Sequence, residues 1–414
     1  MRRISAAGTA LAAAAATALW FSGAARAQEK VIEIGEQCDR TGPTQLVGVE
    51  LCPAVQDYIN LVNSKGGVEG YTIVAREIDH EYKVPPAMES YELFKRDGAV
   101  SIMIYGTPQT QALTQKLNED KIPGTSPGFG TAAAANGTRY PYIFPVAATY
   151  WSQGAAAIEF IKKQLGGNLA GKKIAYVFYD NPAGREPLPI IEDIQKIEKF
   201  ELRTFAVPPP GVEMGAQVLD IAQRYRPDFV ISHLFGRSPS VSIKELKRAG
   251  YPLSKVIGLV WASSEADIEA AGGWGVAEGY HTIQFAGVGD DYPVRKEIVA
   301  MYKAQGKEPP KEMKSTVYYN RGLLAAALHV EAIRNAIKAK GGAKPTGEDV
   351  RKGFESIKDF TLGGLVPPME ITAANHEGGG WVQIFQVKGG KFVKETDWFR
   401  GYPEVLAKAV SSAE

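Results

Sequence analysis

The sequence predicts an α/β protein of two doubly wound lobes, and three observations carry that expectation. Apolar β-type runs alternate with helix-periodic runs from Val31 onward, joined by short connections. Ala99 to Tyr105 is continuously apolar, as a strand covered on both faces must be. A second series of the same kind restarts near Tyr150 and makes the second lobe.

In the first series, Val31 to Gly35 is a strand. Residues 48 to 63 place Cys52, Val55, Ile59 and Val62 on one helical face, and Gly66-Gly67 ends that helix. Tyr71 to Ile78 is the next strand. Pro85-Pro86 opens a helix with Ala87, Tyr91 and Phe94 inward, stopped by Asp97-Gly98 before the strand Ala99 to Tyr105. Such a β-α-β-α-β run forms a parallel sheet with right-handed crossovers, a Rossmann-like arrangement.

The second series runs from helix Ser152–Leu165 through strand Lys173–Tyr179, helix Leu188–Lys199 and strand Leu202–Val207. Helix Met214–Tyr225, strand Phe229–Ser232, helix Ser238–Ala249 and strand Val256–Val260 follow. Long amphipathic helices return near 292–304 and 315–338. The chain closes with a hairpin, Trp381–Val387 and Lys391–Trp398, turned at Gly389-Gly390.

Residues 1–27 have the form of a secretory signal: basic Met1-Arg2-Arg3, an Ala- and Leu-rich stretch to Phe21, then Ala25-Arg26-Ala27 before Gln28. No lipobox cysteine follows, so the expectation is a soluble, exported, periplasmic protein of 387 residues. Its net charge of +1 becomes −2 once Arg2, Arg3 and Arg26 leave, which gives no electrostatic case for nucleic acid or a membrane surface. Cys38 and Cys52 are the two cysteines; an even pair in an oxidising compartment predicts a disulfide. Five scattered histidines without a metal-ligand spacing predict no metal, and no cofactor signature is present.

Gly124-Thr125-Ser126-Pro127-Gly128 matches a G-x-S-x-G nucleophile elbow, but Pro127 distorts the turn and no helix starts at the serine. An exported hydrolase using Ser126 is therefore the competing class of function. A stronger signal is Tyr105-Gly106-Thr107-Pro108-Gln109-Thr110 after an apolar strand. Thr107 is expected as the N-cap, with the N–H groups of Gln109 and Thr110 and the Thr110 hydroxyl facing the strand ends, which makes either a carboxylate site or an ordinary helix cap that binds nothing.

The ordered set of motifs then resembles a known family. Arg40-Thr41-Gly42-Pro43-Thr44, Val62-Asn63-Ser64-Lys65-Gly66-Gly67-Val68-Glu69-Gly70, Asp79, Pro86-Ala87, Asp97-Gly98, the Gly106–Thr110 cap, Ser126-Pro127-Gly128, Gln153-Gly154 and Ala277-Glu278-Gly279-Tyr280 are similar, in order, to the periplasmic leucine/isoleucine/valine-binding proteins of ABC importers. The resemblance implies the type I periplasmic-binding fold, with two lobes joined by a three-crossing hinge. One lobe takes 28–148 plus 282–360, the other 149–281 plus 361–414. It implies a monomeric, non-enzymatic partner of an inner-membrane ABC permease.

It also implies ligand contacts at Thr107, Gln109 and Thr110, a wall at Gly128, Phe129 and Gly130, and Tyr150 near the first crossing. The carboxyl lobe is expected to add Asp180, Ala183, Phe235, Arg237, Trp261, Ser263 and Glu265. Three departures bear on the ligand. Ala183-Gly184 stands where amino-acid binders carry Tyr-Gly, the acid that neutralises a ligand ammonium aligns with Ala262 (a small shift brings Glu265 there), and Phe129 replaces a small residue. A buried ammonium without a carboxylate is costly, so the ligand expectation is a small aromatic carboxylic acid. A branched-chain or other amino acid is the alternative.

Overall fold

The computed structural model describes residues 30–413; the expected leader at 1–27 lies outside the described residues. The first sheet comprises β1 (Val31–Cys38), β2 (Thr72–Asp79), β3 (Ile102–Met103), β4 (Gly124–Thr125) and β5 (Ile143–Phe144). Their order is β2-β1-β3-β4-β5, and every pairing is parallel. Sheet two comprises β6 (Lys173–Tyr179), β7 (Glu201–Val207), β8 (Phe229–His233), β9 (Val256–Gly258), β10 (His281–Gln284), β11 (Gln383–Lys388) and β12 (Lys391–Lys394). It is ordered β12-β11-β10-β9-β8-β6-β7; β6 to β10 are parallel, and β11 and β12 are antiparallel additions at one edge.

The chain thus passes from the first sheet to the second after β5 and leaves the second after β10. It re-enters for β11 after the helices Tyr318–Ala339 and Gly347–Phe354. Tyr318–Ala339 packs along Gln45–Ser64, the first helix of the first lobe. A Cβ on Gly322 would lie 2.1 Å from the Leu51 carbonyl oxygen, so that contact requires glycine. Strand β10, which the expected lobe boundary at 281/282 would divide, belongs wholly to the second sheet. This is the two-lobed type I periplasmic-binding architecture.

Cys38 at the end of β1 and Cys52 in the first helix form a disulfide, with Cα atoms 6.4 Å apart. Several elements differ from the sequence expectation, and the strand expected over Ala99–Tyr105 is paired only over Ile102–Met103. Met214–Tyr225 is a short α-helix, Gly215–Leu219, widening into a π-helix over Asp220–Tyr225. The strands β4 and β5 are two residues each, too short to show a period. Among the described residues no helix is long and apolar enough to cross a membrane.

Candidate functional site

A cavity lies where residues following the carboxyl ends of strands from both sheets face each other, the position open α/β sheets use for ligands. Ile104, Tyr105, Gly106 and Thr107 follow β3, Pro127 and Phe129 follow β4, Phe235 follows β8, and Trp261 follows β9. Tyr150, in the first turn of a helix capped by the Thr149 hydroxyl, closes one side. The cavity offers about 60 Å3 of room for water centres.

The walls are aromatic, and they join the lobes. The Trp261 Nε1–H donates to the Gly128 carbonyl at 3.0 Å, and the Phe129 and Trp261 rings meet edge-on at 5.8 Å. Tyr82 and Phe235 approach at 6.3 Å. The Ala132 N–H donates to Glu186 Oε1 at 2.7 Å, a further bond across the cleft. The lobes are therefore in contact on both sides of the cavity. Gly128 has φ +74, and a Cβ there would lie 2.4 Å from the Phe285 ring, so this turn admits glycine only.

Thr107, Phe129, Tyr150, Phe235 and Trp261 are the expected residues that line the cavity. The cap differs from expectation: Gly106, at φ +102, is the N-cap and Thr107 the first helical residue. The Thr107 hydroxyl instead accepts the Gly130 N–H at 3.1 Å and ties the two loops together. Both hydrogens assigned to Thr110 are spent within the turn, its N–H at 3.0 Å and its hydroxyl at 2.8 Å on the Gly106 carbonyl. The geometry thus gives no free Thr110 donor for a carboxylate. Gln109 is fully buried with neither amide atom partnered.

Other expected residues stand apart from the cavity. Asp180 forms an ion pair with Arg185, Arg237 is exposed, and Ala183 is buried behind the loop. The Ser263 hydroxyl bonds its own loop, 2.8 Å from Leu259 O and 3.0 Å from Gly258 O. Glu265 turns to Thr316, whose N–H donates to Oε1 at 2.9 Å, and Ala262 is buried, so neither position offers the cavity a carboxylate. Ser126 is buried with no hydrogen-bond partner, so no base activates it as a nucleophile. His233, held neutral with its pKa lowered to about 3 by burial, contacts the Tyr176 hydroxyl through Nδ1.

Beyond the expected set, the cavity is lined by Tyr82, Tyr105, Phe285, Glu36 and Arg321. Glu36, on the β1 face toward the first helix, is 1% exposed, and its Oε1 has no partner. Burial, with Glu77 adding repulsion, pushes its carboxyl well above the usual range and favours the protonated form. Arg321 interrupts an otherwise apolar helix face ahead of Leu324-Ala325-Leu328; a lone charge in that pattern was the available signal for it.

A family model described as a periplasmic binding protein matches residues 31–391. No curated protein matches the sequence. A solved structure from the Pseudomonas fluorescens group, described as an ABC transporter permease, is 32% identical, with a TM-score of 0.82 and coverage of 92% of this chain and 95% of that one. A branched-chain amino acid ABC transporter protein from Thermus thermophilus with bound valine is 24% identical (TM-score 0.79, covering 92% and 99%). A solute-binding protein from R. palustris in complex with benzoate is 20% identical (TM-score 0.70, covering 88% and 95%). With its two sheets, its three passages between them and a cavity at their facing ends, the chain belongs to the periplasmic binding protein family, the substrate-binding proteins of ABC transporters.

Proposed function

We propose that this protein is the periplasmic solute-binding component of a branched-chain-amino-acid-type ABC importer, and that its lobes close on a small carboxylic acid carrying one aromatic ring. Residues 1–27 are removed on export. The lobes are 28–148 plus 285–360 and 149–284 plus 361–414, so that β10 stays whole, and the ligand is released to the permease unchanged. The observation that carries this reading is the cavity itself: walled by Phe129, Tyr150, Phe235 and Trp261, and lined by no carboxylate held in its charged form. Valine and benzoate, the ligands of the two relatives, are both small carboxylates.

An α-amino acid is the second reading, and Glu36 is the observation that favours it, because a ligand ammonium beside it would draw the carboxyl into its charged form. Thermal shift of the purified protein with benzoate, cinnamate, leucine, isoleucine and valine separates the two. A ring acid at 100 times its dissociation constant stabilises the fold by roughly 2.7 kcal/mol. Stabilisation by leucine with none by benzoate replaces the ligand, and chemical conversion of the bound acid removes the transport reading.

A further inference from the structure

Arg321 carries a charge that the protein itself does not neutralise. It lies in the first turn of the helix Tyr318–Ala339, lines the cavity and is 1% exposed. The amino end of a helix is its positive end, where a cation is disfavoured. A guanidinium taken from water is costly unless it is paired with an anion. Here Nη1 donates to Val260 O and Nη2 to Gln284 Oε1 at 2.7 Å, both neutral acceptors. The Trp261, Phe285 and Tyr318 rings surround the guanidinium, centroids 5.1, 4.7 and 5.4 Å away, and contribute cation–π attraction without charge.

Among the described residues no carboxylate lies within 4.0 Å of Arg321, and its buried Nε–H has no acceptor. The acids that act on it, Asp267 and Glu265, are engaged elsewhere, with Ser264 and Tyr318 in one case and Thr316 in the other. The helix start at Thr107, which was expected to hold a ligand carboxylate, has spent its Thr110 donors on Gly106.

We propose that Arg321 is the anchor for the ligand carboxylate: the acid enters the aromatic cavity and meets the Nε–H side of the guanidinium, while Val260 and Gln284 keep the fork oriented. This rests on the carboxylic-acid reading above and adds to it a specificity rule. The site selects the charged acid over a neutral ring of the same shape, because only the acid neutralises Arg321.

Benzoate and benzamide test this by calorimetric titration, since they share a ring and differ in charge. Wild-type protein should prefer benzoate by on the order of 100-fold, and Arg321→Met should bring the two within roughly threefold. A purely structural role for Arg321 lowers both affinities together and leaves the ratio unchanged, which overturns the proposal. The Met variant also frees Val260 O and Gln284, so wild-type protein labelled with 15N-arginine supplies a second measurement. The Nε–H resonance, assigned by its loss in Arg321→Lys, should move downfield with benzoate and not with benzamide; an equal response to both, or none, overturns the assignment. Binding of benzoate with an unchanged ratio removes Arg321 alone, whereas wild-type protein that binds no carboxylate removes the ligand reading and this anchor together.

Discussion

Glu186 holds the most informative carboxyl at the lobe junction. Its Oε1 accepts the Ala132 N–H of the opposite lobe, and burial raises its pKa from 4.5 to about 7 despite that bond. Between those values the folded, closed protein keeps a proton that the unfolded chain has lost. The stability this contributes is fully present below pH 4.5 and is lost as pH rises to about 7. Glu186→Gln removes the titration and keeps an acceptor oxygen. The melting difference between variant and wild type should therefore move in the variant's favour between pH 4.5 and 7, by about 1–3 kcal/mol, and stop moving above pH 8. The buried histidines His233 and His329 act with the opposite sign, but equally in both proteins. A difference that stays constant with pH excludes the buried titration. At this scale the sequence was partly legible. Phe129, Phe235 and Trp261 stood out as bulky residues in loops after strands. Glu36 and Arg321 did not, because their role depends on three elements, β1, the first helix and the helix at 318, meeting around one space.

Elements were legible where a period had room to repeat. The eight-residue strands β1 and β2 and the helices at 45–64 and 318–339 matched their apolar patterns within a few residues. Strands β4 and β5 were not, since two paired residues leave no alternation to read, and the loops around Gly124 and Ile143 take their strand character from the neighbours they pair with. The Thr107 cap shows a finer limit. Thr-Pro is a common helix start, but Gly106 adopts φ +102 and takes over the cap, which shifts every donor by one position. The disulfide is an element-scale device that ties the end of β1 to the helix covering it, across 14 residues. Closing a loop of that length stabilises by about 3 kcal/mol. Cys38→Ala/Cys52→Ala should lose most of that in chemical unfolding, and unreduced wild-type protein, once unfolded, should titrate no free thiols. Two thiols per chain, or an unchanged midpoint in the double variant, contradicts the bridge.

On the scale of the whole molecule, two sheets that share no strand are joined through a cleft bridged by the Trp261 indole, the Ala132 N–H on Glu186, Arg321 on Val260 and Gln284, Thr316 on Glu265, and facing aromatic rings. Separating the lobes breaks these without unravelling either sheet, and a ligand holds the closed state by its differential affinity for it. Trp261 then acquires a second property. It is 7% exposed, bonded to Gly128 across the cleft and lies under the Arg321 guanidinium, so every opening event strips its hydrogen bond and wets its ring. The other tryptophans of the described chain, Trp151, Trp274, Trp381 and Trp398, do not line the cavity. The protein therefore carries its own optical gauge of lobe position: emission should shift to shorter wavelength as a ring acid is added, and Trp261→Phe should abolish that shift while the remaining tryptophans still fluoresce. A ligand-dependent shift of equal size in Trp261→Phe would place the moving chromophore elsewhere.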